Sequence, residues 1–184
     1  KNPEVFNYSI DWMEISLPTN KVTLVHNPIE RLKKEPWCWY EIVNLAETAD
    51  ESIFIQSPYT IPTRDMLKYL DYDKIFPKEI NILTNSLAAS PNFFASSGYM
   101  KHRKKIVDCG ARVHEFQGPG SVHAKSYVYD SRITALGSFN FDSRSTYLST
   151  ETMVIIDGED FAKDLEKEID KYMSSSLQVG KDYS

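Results

Sequence analysis

Long apolar runs are missing from this chain. None of its 184 residues belongs to an uninterrupted stretch of the ~18 apolar residues that a membrane-spanning helix needs. The first residues also lack the charged-then-apolar pattern of a secretory signal. Taken alone, the chain is expected to be soluble. Cysteine is scarce: Cys38 and Cys109 are the only two, with no C-x-x-C pair and no histidine at ligand spacing. That spacing supports neither a metal site nor a redox site, and no cofactor is expected. Both thiols are read as ordinary and reduced. Positive charge is in deficit, with 21 Lys and Arg against 26 Asp and Glu and a net charge of -5. With a pI near 5.4 there is no global basic field to draw in nucleic acid, which is not an expected partner. Methionine is absent from position 1. The expectation is therefore a piece of a longer protein, with membrane anchors and targeting segments elsewhere.

What is present reads as one domain, since the length is that of a single hydrophobic core. Residues 1–20 scatter Phe6, Tyr8 and Trp12 among Asn, Pro and Ser without a sustained period, and are read as a connector. The domain proper is expected over 21–174, with a polar tail over 175–184 that frays. Lys21 to Asn27 predicts a first strand closed by Asn27-Pro28, and His26 near its end reads as a surface group. Pro36 opens a helix over about 37–49, and Ser52 to Gln56 is a buried strand ended by Ser57-Pro58-Tyr59. Strand, helix, strand begins a βαβ arrangement. A second helix is predicted over Thr63 to Phe76, a strand over Lys78 to Thr84, and a helix over about Asn92 to Asp108 ending at Gly110. That last helix carries Lys101-His102-Arg103-Lys104-Lys105, read chiefly as a solvated face. Ala111 to Gln117 and Leu148 to Ile156 predict further strands, and Asp160 to Ser174 an amphipathic closing helix. About seven strands interleaved with four helices predict an α/β domain with a mixed central sheet.

The densest chemistry lies in His123-Ala-Lys125-Ser-Tyr-Val-Tyr-Asp130 and the Gly137-Ser138-Phe-Asn140 that follows. As a strand, the first run puts His123, Lys125, Tyr127 and Tyr129 on one face and Asp130 on the other. Asp130-Ser131 predicts a tight turn, and a second strand from Arg132 to Gly137 returns the chain beside His123. Ser138 and Asn140 then share a face by alternation. One ammonium, one hydroxyl, one amide and an imidazole suit a phosphoryl group and need no metal.

The pattern H-x-K-x4-D followed by G-S-x-N resembles the signature of the phospholipase D superfamily. The continuation Phe141-Asp-Ser-Arg-Ser145, the Ser57-Pro58-Tyr59 turn and the Thr84-Asn-Ser-Leu-Ala-Ala89 segment resemble its cardiolipin-synthase-like branch. The likeness thins at Pro91 and Ser96 and returns at Gly98-Tyr99. It implies an α-β-α sandwich and phosphodiester cleavage or transphosphatidylation on phospholipids through a phosphohistidine. It also implies a full-length protein associated with the cytoplasmic membrane. Two such motifs are needed, and none of His26, His102 or His114 carries the whole pattern. The second half-site is expected from the same polypeptide, whose C-terminal half this chain resembles, or from a dimer mate. In that half the resemblance makes His123 the general acid, Lys125 and Asn140 phosphate ligands, Ser138 an assistant, and Glu151 the acid that orients the histidine. Asp130 is expected to be a structural salt-bridge partner. Two other readings stand beside it: a homodimeric nuclease, and a non-catalytic scaffold half.

Overall fold

A computed structural model describes residues 9–30 and 34–183. Phe6 and Tyr8 of the expected connector lie outside these residues. The elements run β1 (Lys21–His26), α1 (Trp37–Thr48), β2 (Ser52–Gln56), β3 (Thr60–Ile61), α2 (Arg64–Leu67), α3 (Tyr72–Ile75), β4 (Glu79–Asn85), α4 (Phe93–Asp108) and β5 (Arg112–Phe116). They continue with β6 (Ser126–Tyr129), β7 (Ile133–Gly137), β8 (Phe141–Asp142), α5 (Ser143–Tyr147), β9 (Thr152–Asp157), α6 (Glu159–Met173) and β10 (Ser176–Gln178).

Eight strands form one mixed sheet in the order β1-β9-β7-β6-β2-β4-β5-β10, and β3 and β8 pair separately. The expected α/β architecture with a large mixed central sheet is what the chain adopts. The parallel core is β2-β4-β5. β1 sits at the far edge, antiparallel to β9, so the expected βαβ unit of β1, α1 and β2 is not a neighbouring pair.

Helices cover both faces. Tyr127, Tyr129, Ile53, Ile55 and Ile82 point into a core with Trp39, Ile42 and Val43 of α1 and Ile106 of α4. Val128, Leu83 and Phe116 point the other way, against Ala162 and Ile169 of α6. Strict alternation along β6 therefore feeds two cores, as a two-sided sheet requires.

Four expectations are corrected. The helix predicted over Thr63 to Phe76 is two short helices, although Met66 and Ile75 are both buried. Nine residues at about 100° each put those two positions about half a turn out of phase. One continuous helix cannot bury both, and the chain breaks between them. The strand predicted from Leu148 begins only at Thr152, because Asp142 caps α5 by accepting from Ser145 N–H at 2.8 Å. The strand predicted from His123 starts at Ser126. The tail expected to fray instead forms β10, antiparallel to β5, and buries Val179.

Candidate active site

The parallel strands β2, β4 and β5 end at Gln56, Asn85 and Phe116, β6 starts opposite Gln56, and β7 ends where β9 begins. This one end of the sheet gathers Ser57, Asn85, His123, Lys125, Ser138, Asn140 and Glu151, at the C-terminal rim of the parallel strands where α/β sheets bind ligands.

His123 and Lys125 precede β6 and still share a side: the Lys125 ammonium lies 3.2 Å from His123 Nε2 and donates to the His123 carbonyl at 2.6 Å. The imidazole is exposed while Lys125 is 9% exposed. Burial pushes the Lys125 ammonium below its ordinary pKa, opposed by the charges of Glu151 and Asp142. The loop ahead of His123 is held by Asn85, which accepts from Val122 N–H at 2.8 Å and donates to the carbonyls of Val122 and Pro58 at 2.9 and 3.3 Å.

Gly137 is required by close approach. A Cβ there would lie 2.1 Å from the Thr152 carbonyl oxygen, which accepts from Ser138 N–H at 3.0 Å. Ser138 Oγ donates to the Glu151 carboxylate and accepts from Thr152 N–H at 3.1 Å. Glu151 is 7% exposed and sits just ahead of β9. Its carboxylate is therefore bonded to the Ser138 hydroxyl, whereas the His123 imidazole meets Lys125; among the described residues no hydrogen bond joins Glu151 to His123. Asn140 pairs with Ser145, whose Oγ accepts from its backbone N–H at 3.2 Å and its Nδ2 at 3.3 Å, while its buried Oδ1 has no partner among the described residues. At this sheet end the side chains form three hydrogen-bonded pairs: His123 with Lys125, Ser138 with Glu151, and Asn140 with Ser145.

Asp130 lies at the opposite end and, against expectation, has no salt bridge among the described residues. Its carboxylate accepts from the backbone N–H groups of Asp50, Glu51 and Ser52 at 2.7, 2.9 and 2.8 Å. Burial pushes its pKa up, but these three amides and the Lys78 charge outweigh that and hold it below the ordinary value. The turn has Asp130 and Ser131 at φ of 52° and 49°, and pairing of Tyr129 with Ile133 leaves 130–132 in the loop.

Several residues at this end escaped sequence reasoning. Asn27 is fully buried, donates to the carbonyls of Ser145 and Ser149 at 2.9 and 3.2 Å, and accepts from Cys38 N–H at 3.1 Å. Burial, then the Glu151 charge, pushes the Cys38 thiol up to about 11, so it stays protonated near neutral pH. The Lys34 ammonium, also buried, donates to the Pro28 carbonyl at 2.8 Å and to the Thr150 hydroxyl. Ser57 Oγ accepts from Phe141 N–H at 3.1 Å and donates to Tyr59 O at 2.7 Å, so the Ser-Pro-Tyr turn both ends β2 and holds the Asn140 segment. Only the Asp142 cap carried a local signal, an Asp immediately before a short Ser-rich helix. The other histidines stand elsewhere. His102 has Lys104 two residues on, but both are helical, and Cys109 occupies the place of the motif aspartate. His26 is exposed, edge-on to Trp37 at 6.0 Å.

The family described as "Cardiolipin synthase, PLD-like domain" matches residues 42–173. An uncharacterized protein of Helicobacter pylori is 36% identical over 130 residues, covering 64% of this chain and 26% of the relative. Cardiolipin synthase C of Escherichia coli is 32% identical over 143 residues, covering 68% of this chain and 30% of the relative. The chain thus spans less than a third of the length of these relatives. Among solved structures, a phospholipase D family member, Nuc from Salmonella typhimurium, superposes with a TM-score of 0.67 at 18% identity, covering 86% of this chain and 97% of that one. Among the described residues no helix is long and apolar enough to cross a membrane.

Proposed function

The chain belongs to the cardiolipin synthase, phospholipase D-like domain family, and from that membership we propose that it supplies one of two His-x-Lys half-sites in an enzyme that cleaves or transfers phosphodiesters of phospholipids. The observation that carries this reading is the 3.2 Å contact of the Lys125 ammonium with His123 Nε2 at the strand-end rim. An arriving phosphodiester competes for the ammonium and frees the ring to exchange a proton. An imidazole titrates near neutral pH, so it can serve as acid or base there.

The histidine of the second half-site attacks phosphorus, forming a P–N bond as the P–O bond to the leaving alcohol breaks. His123 gives its proton to that leaving oxygen, and then takes one from the water or alcohol that resolves the phosphohistidine. Lys125 and Asn140 Nδ2 hold the non-bridging oxygens, and Ser138 turns its hydroxyl from Glu151 toward them. Glu151 is a positioning group: it orients Ser138 and its charge supports the Lys125 ammonium against burial. The second half-site comes from the same polypeptide or a second copy, and the membrane surface is met through the longer protein.

The test is lipid product analysis with phosphatidylglycerol and phosphatidylethanolamine, using the full-length protein and its His123→Ala variant. Loss of turnover by about 10²–10⁴-fold with unchanged folding is expected for a proton-transfer residue. Retained activity would make this domain a scaffold. Salt-sensitive DNA binding and cleavage in place of lipid turnover would make it a nuclease.

A further inference from the structure

Behind the site, between the sheet and helices α1–α4, lies a cavity of about 180 Å³. Its floor is buried and apolar: Trp39, Ile42, Ile82 and Tyr127 are each at most 5% exposed. The tyrosine hydroxyls in the wall are already bonded, Tyr127 to the Phe139 carbonyl at 3.1 Å and Tyr129 to the Ile42 carbonyl at 3.2 Å. Nothing polar inside seeks a partner, so water has little to hold it there. Engineered apolar cavities of ~150 Å³ stay dry and take up apolar guests.

The cavity is not sealed. Tyr72 and Phe76, 43% and 42% exposed, stack at 5.2 Å and stand at its rim with Lys105 and Cys109, which are also exposed. The rim has a sign. The lining includes Lys105 and no carboxylate, while burial and the charges of Lys105 and Lys101 push the pKa of the neighbouring His102 below its ordinary value. Within the basic run, Arg103 pairs with Glu115 at 2.6 Å and Lys104 with Asp108 at 3.1 Å. Lys101 and Lys105, one helical turn apart, have no ion pair among the described residues. An apolar floor with an unpaired cationic lip is complementary to one kind of molecule, a flexible hydrocarbon chain ending in an anion.

We propose that the cavity lined by Trp39, Ile82 and Tyr127 binds a single acyl chain of an anionic amphiphile, whose head group rests against Lys105 and His102. This stands apart from the catalytic reading, although Phe141, which lines the cavity, follows Asn140 in sequence.

The probe is sodium decanoate, kept below its micelle-forming range and titrated calorimetrically into the chain. Saturable binding of one decanoate per chain is expected, with decyltrimethylammonium, the same tail under a cationic head, weaker by about tenfold or more. Lys105→Glu should remove most of that preference. Ala46→Leu and Ala111→Leu each add bulk to the lining, and whichever variant keeps its near-ultraviolet circular dichroism should bind neither probe. Non-saturable uptake by the unaltered chain, equal affinity for the two heads, or undiminished decanoate binding in a folded filled variant would each overturn the proposal. Dihexanoyl phosphatidylglycerol as a monomer separates the sources: displacement of decanoate supports the site and assigns a phospholipid chain, and no displacement supports it as a free fatty-acid site.

Discussion

Asn85 and Val122 exchange two hydrogen bonds, side-chain amide to carbonyl at 2.9 Å and backbone N–H to side-chain oxygen at 2.8 Å. The residue directly before His123 is thereby tied to the end of β4, a strand that is not a hydrogen-bonded neighbour of β6 in the sheet. Asn85→Ala would leave a buried donor and acceptor unmatched, at a cost of about 2–4 kcal/mol. The expected result is a lower denaturation midpoint and, in protein that remains folded, a fall in full-length turnover. Asn85→Asp should fail similarly, because a carboxylate cannot donate to the Val122 carbonyl.

Gly137→Ala should be among the most damaging single-methyl additions in the chain. The new Cβ would overlap the Thr152 carbonyl, a ladder group that cannot yield without parting β7 from β9. A loss of about 3 kcal/mol or more is expected by urea denaturation. Gly158→Ala is the control: its Cβ would meet nothing nearer than 3.4 Å and its backbone is extended, so the midpoint should barely move.

Asp130→Asn tests the clasp at the far end of the sheet. Hydrogen bonds to a charged acceptor are worth more than neutral ones, so about 3 kcal/mol should be lost at neutral pH. The sign with pH follows from a folded pKa held below the ordinary 3.8. The stabilisation is complete above the unfolded value and disappears as pH falls through the folded one. Thermal melts of the two proteins should therefore differ most near neutrality and converge in acid below about pH 4.

Ser138→Ala would deprive a buried carboxylate of its hydroxyl donor, costing about 1.5–3 kcal/mol. Glu151→Gln has a second consequence, through Lys125. Burial already depresses that ammonium and Glu151 opposes the depression, so removing the charge lowers the Lys125 pKa further. If the ammonium binds phosphate, the alkaline limb of the full-length pH–rate profile should move to lower pH in Glu151→Gln. An unmoved limb would separate Glu151 from Lys125 in function.

The sequence disclosed the elements where one period ruled a whole segment. β2 falls on Ser52–Gln56 as read, and α1, α4 and α6 lie within a residue or two of their predicted bounds. It misled where a segment answers to more than one neighbour. Met66 and Ile75 share a core by breaking their helix, and Glu151 sits outside its strand because α5 intervenes. At the site, spacing correctly put His123 beside Lys125. It could not foresee that Ser138 would choose Glu151 and Asn140 would choose Ser145, since those partners are set by how β7, α5 and β9 meet in space. Asn27, Lys34 and Cys38 were illegible for the same reason: each touches residues more than one hundred positions away in the chain.

The C-terminal strand β10 has a wider effect than its three residues suggest. It lies across β5, whose outward row of N–H and C=O groups would otherwise be a template for another chain, and is itself too short to be a good one. The opposite margin, β1, is twice as long and shows Val22 and Leu24 to solvent. Growth of this sheet by strand addition, whether in assembly or in aggregation, is therefore polarised: one margin is blunted, and newcomers are steered to the other.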